Sequence, residues 1–366
     1  MTERGIDLGG RVADQQPVSV GVIGCGSHAF RNIYSALPFL PVRLRAVCDL
    51  DAERAELFAR RFGAEAWYTD VADMLGKQQL DAVLAITGYD ADGRPTYPSI
   101  AAECMRGGCD VWIEKPPAAT SAELVALQEV ERQTGKFVMV GFKKMFFPAN
   151  EKLKAIIEGE SFGRLQCIQA KYPQYVPDQE GMFDFKGHPR LIGFLDHLCH
   201  PASLMVYLAG PAESLLFERS GEGAAVVLVR FRGGAVGSLL LSSGQPRTAP
   251  MERSEVIGEG ESAVAENNVR VWHYRKGEHL KSGYGRTPDY FREVIDAPHY
   301  WEPEFSLGQL YNKGLFLLGY YGELAEFVSA VQQHRRPARA GLDDAIHITR
   351  WFEAMQRGAG VWQSID

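Results

Sequence analysis

The sequence lacks any apolar run approaching the ~20 residues that a membrane-spanning helix needs, so no membrane partner is expected. It also lacks a basic stripe. With a net charge of −7, a nucleic-acid surface is not expected. Cysteine is scarce and unpaired in pattern: Cys25, Cys48, Cys104, Cys109, Cys167 and Cys199 include no Cys-x-x-Cys. Such residues read as small buried hydrophobes in a reducing compartment. The start, Met1-Thr2-Glu3-Arg4-Gly5, has neither the basic opening nor the apolar stretch of a signal peptide. A cytoplasmic location is therefore expected. No internal repeat or low-complexity tract is visible.

What is present is enough for two cores: 366 residues, 46% of them hydrophobic. The polar, Gly-rich residues 1–17 read as an arm. Residues 18–141 then alternate in pattern. Strands are expected at 18–24, 43–48, 81–86, 110–113 and 137–140. Helices are expected at 27–37, 52–62, 99–106 and 121–133, the last with Ser121 and Glu123 suited to its N-terminal turn. The first strand, Val18-Ser19-Val20-Gly21-Val22-Ile23, is uncharged, as suits a strand buried on both faces. This alternation predicts a doubly wound parallel sheet.

The first strand runs into Gly24-Cys25-Gly26-Ser27-His28-Ala29. A glycine loop after a strand and before a helix is the dinucleotide fingerprint. Gly24 would make the tight turn and Gly26 would let a pyrophosphate approach. Ser27 and His28 open the helix over it, and Ala29 is small enough for close packing. Asp49 follows Gly26 by 23 residues, at the end of the second strand. A carboxylate there suits the ribose hydroxyls and repels a 2′-phosphate, which favours NAD over NADP. Arg43, Arg45 and Arg54 lie nearby, which leaves NADP open. Lys115 ends another strand, in Val111-Trp112-Ile113-Glu114-Lys115-Pro116. Ligands of open parallel sheets bind outside the carboxyl ends of the strands, so Lys115 should face the same crevice.

From residue 142 to 366 the alternation stops. Strands are expected at 165–172, 224–231, 235–241, 254–257 and 269–274, with Arg232-Gly233-Gly234 as a hairpin turn. Helices are expected at 151–158, 197–208, 321–333 and 343–356. This reads as an α+β domain: one large, predominantly antiparallel open sheet covered by helices on one face. Its open, partly apolar face predicts a homodimer or homotetramer. Asp196 and His200, four apart on a helix, can meet, the carboxylate fixing the imidazole's tautomer and raising its basicity. His200 would then be a general base. His197 points elsewhere. No His-Glu-x-x-His spacing accompanies these residues, so no metal is expected.

In this order the motifs resemble the Gfo/Idh/MocA family, the glucose–fructose oxidoreductase and inositol dehydrogenase group. The resemblance runs from about Val18 to Met355. It is carried by residues 24–29, Asp49, Glu114-Lys115-Pro116, Gly141-Phe142-Lys143-Lys144, Asp196 to His200, and Glu323-Leu324-Ala325-Glu326-Phe327 with Arg336-Pro337. It implies a Rossmann-type first domain and hydride transfer between nicotinamide and a ring carbon of a sugar or cyclitol. Lys115 would hydrogen-bond the substrate hydroxyl beside the nicotinamide ribose. His200 would act as base in oxidation and acid in reduction, Asp196 would hold the substrate or orient the site, and Glu114 would support the cofactor side. Thr87 would line the dinucleotide.

The chain departs from the family where Thr87-Gly88-Tyr89-Asp90 replaces a Thr-Pro-Asn turn and where Lys143-Lys144-Met145 replaces Asn-Arg-Arg. Lys143 would set a cation beside the substrate. Tyr172, Tyr175, Asp178, Phe183, His188 and Arg190 offer stacking faces and donors of the kind that recognise sugar rings. Two other outcomes suit the same cofactor: glycoside cleavage or epimerisation through transient oxidation by tightly held NAD, and non-catalytic NAD sensing.

Overall fold

The computed structural model describes residues 16–177, 189–220, 223–275, 298–303 and 313–365, and side chains within the helix that begins at Pro189 from Gly193 onward. Most of the first 17 residues, together with Asp178, Phe183, His188 and the Arg190 side chain, lie outside this description. The chain divides into two compact units. The first comprises the described parts of residues up to 146, 181–203 and 312–353; the second comprises those of 147–180, 204–311 and 354–366.

In the first unit, six strands form a sheet: β1 Val18–Ile23, β2 Val42–Cys48, β3 Ala66–Tyr68, β4 Ala82–Ala85, β5 Asp110–Ile113 and β6 Val138–Val140. The order is β3-β2-β1-β4-β5-β6, every pairing parallel. The order reverses between β1 and β4, which opens a crevice at their carboxyl ends. β4 and β5 are buried at every position, which explains their unbroken apolar runs. Helices α1 Ala52–Phe62, α2 Val71–Lys77, α3 Tyr97–Arg106 and α4 Ser121–Thr134 connect the strands. α1 is capped by Asp51, which accepts from the Arg54 N–H, and is closed by Gly63 at φ 75°.

α4 begins at Ser121, with Glu123 in its first turn as expected, and its cap is Thr120. Thr120 and Glu123 form a capping box, while Ser121 donates to Glu353. The expected helix at 27–37 is changed. After Ser27 and His28 it widens into a π-helix, Ala29–Tyr34, followed by a 3-10 turn, Leu37–Phe39. Arg31 and Ser35 donate side-chain bonds to the Ser27 and Phe30 carbonyls there. Such widened turns recur at functional sites.

In the second unit, α5 Pro148–Ile157 leads to a sheet of nine described strands. These are β7 Cys167–Tyr172, β8 Ala212–Arg219, β9 Ala224–Phe231, β10 Val236–Ser242, β11 Arg253–Ile257, β12 Ser262–Glu266, β13 Arg270–Tyr274, β14 His299–Trp301 and β15 Trp362–Ser364. The order is β14-β13-β12-β11-β7-β10-β9-β8-β15; β7 and β10 pair parallel and the other pairs are antiparallel. Along β9, Ala225, Val227, Val229 and Phe231 are buried while Val226 and Leu228 are exposed. Each large apolar side chain on the inner row contributes roughly 1.5–3 kcal/mol by leaving water. The remaining helices are α6 Pro189–Ala209, α7 Lys313–Leu317, α8 Tyr320–Gln332 and α9 Leu342–Gln356. Among the described residues no helix is long and apolar enough to cross a membrane.

Candidate active site

The glycine loop leaves β1 with Gly24 at φ 107°, where a Cβ would stand 2.0 Å from the Ile86 carbonyl oxygen. No side chain fits there. At Gly26 a Cβ would meet nothing within 4 Å, so the backbone is open on that side. Gly24 thus lets the loop press against β4, and Gly26 leaves the approach a pyrophosphate needs. Ala29 is fully buried, as the close packing requires.

Asp49 closes the loop. One of its oxygens accepts the Cys25 N–H at 2.7 Å, and the other accepts the Asp51 N–H at 3.0 Å and faces Arg54 at 3.3 Å. The neighbouring Cys25 thiol is pushed up to about 12 by burial, so it is inert as a nucleophile. Thr87, just past β4, is half-buried; its hydroxyl meets that of Thr96 at 2.7 Å, and its carbonyl accepts from Tyr97. These residues fit a dinucleotide: an open Gly26 backbone, N–H groups at a helix start, and a carboxylate at the ribose end.

The other side of the crevice is ionic. Lys115, at the end of β5, places Nζ 2.6 Å from Asp196 on α6. Burial lowers the Lys115 ammonium's pKa, but the Asp196 and Glu114 charges outweigh it, and the result lies above the usual lysine value. Glu114 accepts the Lys115 N–H and bonds His28 Nε2 at 2.7 Å. Burial pushes the Glu114 carboxyl up, yet His28 and Lys115 together hold it below its usual range. Asn32 donates to His28 Nδ1, so a neutral imidazole can donate from Nε2 to Glu114.

Asp196 and His200 both lie on α6, but the expected pair does not form. Asp196 bonds Lys115, receives a long 3.5 Å contact from the Tyr89 hydroxyl and lies 3.7 Å from His197. The Lys115 cation competes better for the carboxylate than a neutral imidazole does. His200 is consequently not made more basic. Burial first, then the charges of Lys115, Lys143 and Lys144, drive its pKa well below the usual histidine value. His197 points outward and holds the Gly193 carbonyl at 2.7 Å.

Lys143 donates to the Tyr320 hydroxyl at 2.9 Å and lies 4.5 Å from that ring's centre. The Tyr320 ring in turn meets His28 edge-on at 5.9 Å. Tyr320, Tyr89 and Glu323 were not foreseen as site residues. Tyr89 sits where the family turn is replaced, a signal that was readable. Tyr320 and Glu323 come from α8, and only the tertiary fold brings them close. Tyr172 ends β7, buried, in the second unit.

With this geometry in place, comparison with known proteins is direct. Residues 18–142 match the oxidoreductase family GFO_IDH_MocA, NAD-binding Rossmann fold, and residues 150–264 match the GFO/IDH/MocA C-terminal domain. The chain belongs to this family of NAD-binding oxidoreductases. It is 29% identical to inositol 2-dehydrogenase 2 of Saccharopolyspora erythraea over 44% of the chain and 48% of that protein, so the match spans about half the relative's length. It is 25% identical to the scyllo-inositol 2-dehydrogenase (NAD(+)) of Bacillus subtilis over 91% of the chain and 92% of that protein. A solved levoglucosan dehydrogenase, in complex with NADH and L-sorbose, matches in fold with a TM-score of 0.74–0.75 across its NADH complexes, at 18% identity over 96% of the chain and 100% of its own.

Proposed function

We propose that this chain is a dehydrogenase of a sugar, sugar derivative or cyclitol, moving a hydride between a ring CH–OH and nicotinamide C4. The observation that carries the reading is the 2.6 Å Lys115–Asp196 ion pair, built in the same unit as the glycine loop, with His200 one helical turn beyond Asp196. The inositol-named relatives support the substrate class.

Gly24, Gly26, Ser27, His28, Asp49, Arg54, Thr87 and Glu114 hold the dinucleotide in this reading. When bound, the nicotinamide supplies the hydride acceptor. Lys115 donates a hydrogen bond to the substrate oxygen, and Asp196 holds the ammonium in place. His200 takes the hydroxyl proton as oxidation proceeds. Its lowered pKa keeps it unprotonated and ready near neutral pH. A weaker base costs driving force but is almost wholly in the active form.

Residues 18–141 serve as the cofactor domain and 142–366 as the substrate and assembly domain. The second sheet's outer row carries Val226, Leu228, Val236, Leu240 and Trp362, each more than a third exposed. That apolar face suits a homodimer or homotetramer.

The test is to mix the purified protein with NAD and a panel of aldoses, inositols and sugar derivatives and follow the absorbance of reduced nicotinamide. A rise with a ring polyol supports the reading. Silence across the panel, with NAD bound, sinks it.

A further inference from the structure

Resting on that dehydrogenase reading, we infer that the substrate is an anionic ring polyol, a uronate or sugar-acid type, whose carboxylate is held by Lys143.

The argument is charge matching around the crevice. Lys115 is neutralised by Asp196 at 2.6 Å. Glu114 is engaged by His28 at 2.7 Å and by the Lys115 N–H. Lys143 is half-buried, and among the described residues its ammonium meets only the Tyr320 hydroxyl and ring. The carboxyl that its surroundings offer, Glu323 on α8, does not pair with it. Glu323 is fully buried, and neither of its oxygens has a hydrogen-bond partner among the described residues.

Burial, with Glu114 adding to it, keeps Glu323 protonated well above the usual range, so it brings no counter-charge. Lys144 adds a third cation to the field at His200. A half-buried cation without a carboxylate is costly unless a ligand completes it. A neutral cyclitol offers only hydroxyls to this cation. A carboxylate on the ring offers the missing charge. The hydride step is the same for both: the C–H pair passes to nicotinamide, the hydroxyl proton passes to His200, and the carboxylate takes no part.

The groups facing Lys143 set its pH behaviour: Glu323 and Tyr320 from α8, Glu114 and Lys115 from the end of β5, Lys144 beside it, and His200 from α6. Burial, opposed by the Glu114 charge, leaves the ammonium easier to deprotonate than an ordinary lysine. Acid substrates should therefore lose affinity as pH rises through that lowered value, while neutral substrates should not.

The experiment compares D-glucose with D-glucuronate and D-galactose with D-galacturonate, each pair differing only at C6, by initial rates with NAD. The expected result is that kcat/KM for the acid exceeds that for its neutral partner by tenfold or more. K143M should shrink this ratio at least tenfold, through KM, and K143R should restore it. Equal kcat/KM for the two members of each pair, or an acid-to-neutral ratio unchanged in K143M, overturns the inference. If no sugar is oxidised, calorimetric binding of the acids to the NADH-loaded protein decides. Binding that K143M abolishes sustains the anion site and removes the dehydrogenase reading; no binding of any acid overturns the anion site.

Discussion

The two sides of the crevice in the first unit follow opposite electrostatic plans. Around Asp49 every carboxylate oxygen has a donor in place: the Cys25 and Asp51 N–H groups and the Arg54 guanidinium. Around Lys143 the charges are unmatched among the described residues: a lysine paired only with a tyrosine, and a buried Glu323 with no hydrogen-bond partner. The side that holds a fixed, recurrent group is pre-formed by backbone. In the proposed reading, the side that meets the variable substrate leaves charge for the ligand to complete. Lys115 sits where the two plans meet, fixed by Asp196 yet aimed into the open side.

The largest effect should come from that meeting point. Lys115→Met removes the donor to the reacting oxygen and frees Asp196, and turnover should fall about 10³-fold, within the range for a proton-handling group. NAD binding, followed by calorimetry, should be nearly unchanged because the glycine loop is untouched. Wild-type-like turnover would remove the lysine from the mechanism.

Next in size is His200→Ala, expected to lower oxidation about 10²-fold. The wild-type rate should hold on the acid side to well below pH 6.5, because burial and the three lysines keep the imidazole unprotonated. The acid limb should vanish in the variant; an unchanged pH–rate profile points to another base.

The sequence shows one plan much better than the other. The glycine loop, Asp49 and Lys115 are strand-end features, and a strand end is set by local pattern: apolar β-branched runs closed by Gly or a charge. The short β3 and α2 were missed because Ala66–Tyr68 is three residues long and carries no alternation. β8 and β12 were passed over for their mixed composition, and only neighbours in the sheet fix them. At the site, the Asp196–His200 spacing predicted a pair, but the nearest partner in space was Lys115, 81 residues away in sequence. Tyr320 and Glu323 lie on a helix whose pattern says only that one face is buried.

Asp49→Ala should loosen the pre-formed side. It deletes acceptors for two backbone N–H groups, each worth roughly 1 kcal/mol net, and it leaves Arg54 free to meet a 2′-phosphate. NAD affinity should drop about tenfold and NADP affinity much less, read by fluorescence titration of the two reduced cofactors. An equal loss for both would make the carboxylate purely structural.

The smallest effect on turnover, and the sharpest on the comparison, belongs to Glu323→Gln. A carboxyl whose pKa is raised in the folded chain binds its proton more tightly folded than unfolded. Its contribution to stability is full below the ordinary value of 4.5 and falls as pH rises toward the raised one. Glutamine has the same shape and no charge to desolvate. The variant should therefore match wild type in acid and exceed it at neutral pH by on the order of 1 kcal/mol, seen as a Tm difference that opens as pH rises. Its preference between glucuronate and glucose should stay as in the parent, because a protonated Glu323 brings no charge to Lys143. A stronger preference for the acid in the variant would mean that Glu323 is ionised and competes for the lysine. The two sides of the crevice would then both be charge-matched, and the contrast between them would be gone.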